Sequence, residues 1–246
     1  MEGNLVSEVA GTVVKDTWRI RDIFYALLFY FLLHIVEGVV IGILGELRLT
    51  PLLHVGIWYP LALFFLSPLV TFGIALYVVR RRYGAPPQEI GFYTHSPVLD
   101  PFLGLAGGVG LFLLVSVLDA LLERYLGLRS SMDPELARLM LSPDAGGLWG
   151  VFMSLCIFAP VAEETFFRGM VYGILRRYGG VGVSTVIASG LFMFVHVHPA
   201  VFIQIFVIAV AFSLLYEYRR SLIPSMVAHA VYNFLVFVGI ALSSSV

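Results

Sequence analysis

The sequence predicts an all-α fold, a polytopic transmembrane helix bundle of about seven spans (six to eight) with a polar site inside the membrane. Three observations predict it. Of the 246 residues, 59% are hydrophobic and only 13% are charged, whereas a soluble domain carries roughly 45–50% apolar (Gly included) and about 25% charged residues. Mean hydropathy is +0.93. The apolar residues also fall into runs of about the 20 needed to cross a bilayer core. One soluble core of this size could not hide so much apolar surface, which argues against a soluble enzyme, a disordered chain and a nucleic-acid binder. The formal net charge of −1 implies no polyanionic partner. A single cysteine, Cys156, excludes an internal disulfide and a multi-cysteine metal cluster.

The expected spans, in order, are Ile20–Leu44, Leu52–Val79, Pro101–Leu122, Leu148–Leu175, Val181–Val197, Ala200–Tyr216 and Ile223–Leu242. The fifth and sixth are short and separated by His198–Pro199. Before the first span, Val6, Val9, Ala10, Val13 and Val14 recur at helical spacing, as in a helix lying at the interface. Between the third and fourth, Asp133 caps a helix with Pro134 at its first position, which reads as a connector or a flap over a site. Glycines inside the spans, such as Gly104, Gly107, Gly108 and Gly110, suit close helix packing. Two parts are expected within one integrated membrane domain. Residues 1–147 form the N-terminal helices and 148–246 the helices carrying the polar site.

Orientation follows from the basic residues. With the N-terminus cytoplasmic, Lys15, Arg19, Arg21, Arg80–Arg82, Arg176, Arg177, Arg219 and Arg220 lie inside, against Arg48, Arg124, Arg129 and Arg138 outside. An integral protein of the cell membrane, N-terminus in, is the expected arrangement.

A charge at the bilayer centre costs at least about 2.5–3.5 kcal/mol on insertion scales, so it marks a functional candidate. The fourth span holds Glu163, Glu164 and Arg168. Glu164 and Arg168 are four apart on a helix and can pair. Glu163 is rotated by about 100° and left over. The fifth span offers His196, and the seventh offers His229 and Asn233 on one face. Convergence of these groups in one pocket explains why each is tolerated. His34 and Glu37, three apart on the first span, are a second candidate pair, whereas Asp119 and Glu123 read as outer-surface charges.

At these residues the chain resembles the type II CAAX prenyl endopeptidases and the wider CPBP (Abi) family of intramembrane proteases. The resemblance rests on Glu163-Glu164-Thr-Phe-Phe-Arg168, on Phe192-x-x-x-His196 and on His229-x-x-x-Asn233, with the lead-in Ser221-Leu-Ile-Pro224 before the last. It covers about Leu148–Leu242. It implies an intramembrane endopeptidase acting on a membrane-associated peptide or lipidated protein, as in C-terminal processing of CAAX-type proteins. Under that resemblance Glu163, helped by His196, activates water, His229 and Asn233 stabilise the oxyanion, and Glu164 with Arg168 brace the helix. No cofactor is required on the preferred reading. The alternative is one zinc ion held by Glu163, His196 and His229, since two imidazoles and a carboxylate suffice for a catalytic site. Other readings are a rhomboid-like serine protease using Ser184 in Gly182-Val-Ser184, a transporter, and a non-enzymatic immunity or scaffold protein that retains the motifs.

Overall fold

The computed structural model describes residues 20–46, 70, 72, 73, 77, 86–128, 145–196 and 199–243. All but four residues of the expected second span, the N-terminal interfacial segment, the Asp133–Pro134 connector, His198 and the side chains of His34 and Glu37 lie outside the described residues. What is described is helical, with no strand. Helix α1 is Ile20–Glu46 and α2 is Leu99–Leu126. Helix α3 covers residues 145–178, α4 is Val181–Val195, α5 is Phe202–Arg219 and α6 is Leu222–Ser243. Among the described residues four helical stretches are long and apolar enough to cross a membrane, namely Leu99–Leu126, Leu148–Tyr178, Pro199–Arg219 and Leu222–Leu242, with α4 shorter.

Helix α3 is the centre of the bundle. In its most apolar stretch 61% is buried, against 22–33% in the other three. It is not a uniform helix. Two π-helical stretches, Ser154–Phe158 and Thr165–Tyr172, interrupt the α-helical geometry. The first has a cause in the sequence. Pro160 has no N–H and its ring crowds the preceding turn, so the helix widens there. The second is buried at every residue from Thr165 to Tyr172.

Helix α6 lies along α2, where Gly104 and Gly108 remove the side chains between them. A Cβ at Gly104 would sit 2.5 Å from the Val227 Cβ, and one at Gly108 2.6 Å from the Ala228 carbonyl oxygen. This is the small-xxx-small contact by which helices approach in lipid.

One end of the bundle is tied by a short loop. The 3₁₀ turn Pro87–Ile90 leads into Gly91 at φ 97°, whose carbonyl accepts the Leu222 N–H at 2.9 Å. A Cβ on Gly91 would also meet Tyr216 at 2.8 Å, so only glycine suits both the backbone and the space. Fully buried Asp100 completes the clamp. It accepts from Arg219 Nε at 2.6 Å, from the Thr94 hydroxyl at 2.6 Å and from the His95 N–H at 3.0 Å.

Candidate functional site

Glu163 stands fifteen residues from each end of the span Leu148–Tyr178, which places it at mid-depth. The expected pairing of Glu164 with Arg168 is formed, with Arg168 Nη1 donating to Glu164 Oε1 at 2.9 Å. Both side chains are buried, at 0% and 1% exposure. Of the rest of the guanidinium, Nε is buried without a hydrogen-bond partner among the described residues. Nη2 donates to the Ala209 carbonyl of α5 at 2.9 Å. The faces lie 4.6 Å from the Phe192 ring centroid and 5.2 Å from that of Phe212. A carboxylate, a carbonyl and two aromatic faces thus replace water around a cation that would otherwise be very costly there.

The two carboxylates divide the histidines between them. His229 Nδ1 lies 3.0 Å from Glu164 Oε1, and its ring stacks on Phe212 with centroids 4.9 Å apart. Glu164 therefore joins Arg168 and His229 in a buried triad. His196 instead faces Glu163, with Nε2 4.0 Å from Glu163 Oε2 and side-chain exposures of 32% and 24%. His196 Nδ1 lies 2.7 Å from the Phe192 carbonyl. A carbonyl only accepts, so Nδ1 carries a proton and Nε2 is the nitrogen that faces Glu163. Phe192 touches both imidazoles, 4.6 Å from His196 and 6.2 Å from His229 between ring centroids. The site is thus two halves flanking one aromatic ring, an open Glu163–His196 pair and a buried Glu164–Arg168–His229 triad.

Asn233 reaches the first π-helical turn, where its Nδ2 donates to the Leu155 carbonyl at 2.8 Å. In a π turn that carbonyl's helical partner would be residue 160, a proline without an N–H. Asn233 supplies the missing donor and ties α6 to α3. The second amide hydrogen and Oδ1 are left for other partners.

Of the three residues proposed above as zinc ligands, Glu163 and His196 face each other and His229 contacts Glu164. Nδ1 of each imidazole is engaged, His196 with the Phe192 carbonyl and His229 with Glu164, so an ion would have to take Nε2 of both. Among the described residues no three His, Cys, Asp or Glu side chains are arranged to hold an ion. Ser184 is fully buried on α4, and its hydroxyl has no hydrogen-bond partner among the described residues. It lies twelve residues from His196, about 18 Å along the helix, so no base activates it from that histidine.

Sequence reasoning missed several supporting groups. Ala209 and Phe212 of α5 belong to a helix with no motif residue. They are recognisable only once Arg168 is seen to need a second acceptor and a covering ring. Asp119, read as a surface charge, accepts from the buried Gln204 Nε2 at 2.7 Å and so links α2 to α5. A glutamine inside the short sixth span was the available signal.

No curated protein and no solved structure matches the chain. Residues 145–235, the stretch that carries all three motifs, match the family model described as Rce1-like, type II CAAX prenyl endopeptidase Rce1-like.

Proposed function

We propose that the chain is an intramembrane endopeptidase that hydrolyses peptide bonds of membrane-associated substrates. The observation that carries this is the Glu163–His196 pair, two proton acceptors 4.0 Å apart midway along the span, with both side chains partly exposed and Glu163 Oε2 lacking a hydrogen-bond partner among the described residues. A water about 2.8 Å from both acceptors can donate one hydrogen to each. Glu163 takes a proton as the water oxygen attacks the scissile carbonyl carbon, and later returns it to the leaving amine nitrogen. The oxyanion formed in between requires donors. Asn233 has one amide hydrogen left. His229, with Nδ1 directed at Glu164, donates from Nε2 when the ring carries both protons.

The test is incubation of the purified protein with membrane-anchored peptides, products being read by mass spectrometry. Wild type yields new termini and Glu163→Ala yields none. Matched prenylated and unprenylated C-terminal peptides decide the substrate class. Loss of the last three residues from the prenylated peptide alone marks CAAX-type processing, and equal cleavage of both marks a broader peptidase. Because no step runs through a metal, activity is expected to survive exhaustive chelation. Loss on chelation with recovery at one zinc per chain would overturn direct water activation and leave the peptidase assignment standing. Cleavage of no anchored peptide would overturn the assignment itself.

A further inference from the structure

A cleft of about 250 Å³ opens at the arginine-rich end of the bundle, away from Glu163 and His196. Its lining includes Arg176, Arg177 and Arg220, with Glu89 on the 3₁₀ turn and Gly169 and Gly173 on α3. Two of the arginines share one carboxylate. Glu217 accepts from Arg176 at 3.1 Å and from Arg220 at 2.7 Å, which leaves positive charge in excess. Arg177 is exposed and makes no ion pair among the described residues, and neither does Glu89. A Cβ on Gly169 would meet the Ile90 carbonyl oxygen at 2.9 Å, so the turn packs directly on α3. A Cβ on Gly173 would come no nearer than 3.8 Å to any neighbour, so that position keeps the cleft open.

The position of the cleft identifies its solvent. It lies where the spans ending at Tyr178 and Arg219 leave their apolar stretches, the level at which phospholipid headgroups sit. A purely anionic group would find two or three guanidiniums but would also face the Glu89 carboxylate. A group carrying phosphate and ammonium together satisfies both signs. We propose that this cleft binds an aminophospholipid headgroup, its phosphate on Arg177 and Arg220 and its ammonium on Glu89. The ammonium of ethanolamine has three N–H donors for a carboxylate, and the quaternary ammonium of choline has none. Ethanolamine lipid is therefore preferred over choline lipid, and Glu89 is the residue that selects it.

Thermal unfolding of the detergent-solubilised full chain tests this, with phosphatidylethanolamine, phosphatidylcholine, phosphatidylglycerol or inorganic phosphate added. A ligand bound by the folded state raises Tm. Phosphatidylethanolamine is expected to raise Tm by several degrees more than the other three. Arg177→Glu abolishes that excess while its lipid-free Tm stays at the wild-type value, since Arg177 is exposed and makes no ion pair among the described residues. Glu89→Gln shifts the preference from phosphatidylethanolamine to phosphatidylglycerol. Gly173→Leu fills the cleft without changing charge and also abolishes the excess, so the result does not rest on Arg177→Glu alone. Equal stabilisation by all three lipids, an undiminished response in both Arg177→Glu and Gly173→Leu, or a full response to inorganic phosphate would each overturn the proposal.

Discussion

Arg168 and Glu163 lie five residues apart on one helix, yet their substitutions should fail in different ways. Arg168 holds Glu164, the Ala209 carbonyl and two ring faces in a fully buried space. Arg168→Ala strands Glu164 and should lower stability by about 3–5 kcal/mol, read as a fall in Tm. Arg168→Lys should recover little of it, because a point charge cannot serve a carboxylate, a carbonyl and two faces at once. Glu163, which is 24% exposed on its side chain, makes no such network. Glu163→Gln should therefore melt close to wild type but lose about 10²–10⁴-fold in peptide cleavage, the range of general-base catalysis. Glu164→Gln is the contrasting case, since it weakens two buried charge-assisted contacts and lowers Tm. Equal losses of Tm in Glu163→Gln and Glu164→Gln would show that the two carboxylates are not divided between chemistry and structure. The Glu164–Arg168 pair was legible from its spacing alone. The choice of His229 for Glu164 and of His196 for Glu163 was not, because adjacent carboxylates differ only in azimuth and π turns shift azimuth along α3. The readout of that azimuth is tertiary.

Helices α2 and α6 show what a stripe of glycines accomplishes beyond tolerance of the membrane. Gly104 and Gly108 let the α2 backbone reach Val227, Ala228 and Val231, adjacent to His229 on α6. Gly110, two residues further along, faces open space. Gly108→Leu should therefore push α6 away from α2, lower Tm and reduce cleavage together, since His229 and Asn233 ride on α6. Gly110→Ala should be tolerated or raise stability by about 0.5–1 kcal/mol through the backbone-entropy difference in a helix. A Gly108→Leu protein with wild-type Tm and activity would mean that the two helices do not meet there. The sequence showed the glycines and their packing role, but not which of them face a partner. The clamp at the loop was illegible for a related reason. Asp100 stands at the start of an apolar run and Arg219 at the end of another, 119 positions apart, and neither has a local partner that gives the pairing away. Asp100→Ala should cost stability near the lower end of about 3–5 kcal/mol, since Arg219 keeps 18% exposure on its side chain.

At the scale of the molecule, composition alone identified a membrane bundle, because 59% hydrophobic residues in 246 leaves no other solvent. The number of spans was less legible. Among the described residues four helical stretches meet the length and hydropathy of a span, and α4, with 15 residues, is about 22 Å long, too short to cross a core of about 30 Å unaided. Its apolarity reflects burial against α3 and α5 as much as contact with lipid, and periodicity does not separate those causes. Orientation is the property on which the site's access depends, and it rests on where the arginines collect. Arg176, Arg177, Arg219 and Arg220 gather at one end of α3 and α5, which by the distribution of basic residues should face the cytoplasm. Single-cysteine labelling can decide it. Native Cys156 is buried and should stay unlabelled. Tyr178, 63% exposed, marks the arginine-rich end, and Tyr125, 72% exposed, marks the far end of α2. In intact cells a membrane-impermeant maleimide should label Tyr125→Cys and leave Tyr178→Cys untouched. In inside-out vesicles the pattern should reverse. Tyr178→Cys labelled in intact cells, with Tyr125→Cys protected, would invert the protein in the bilayer and place the arginine-rich cleft on the outer surface.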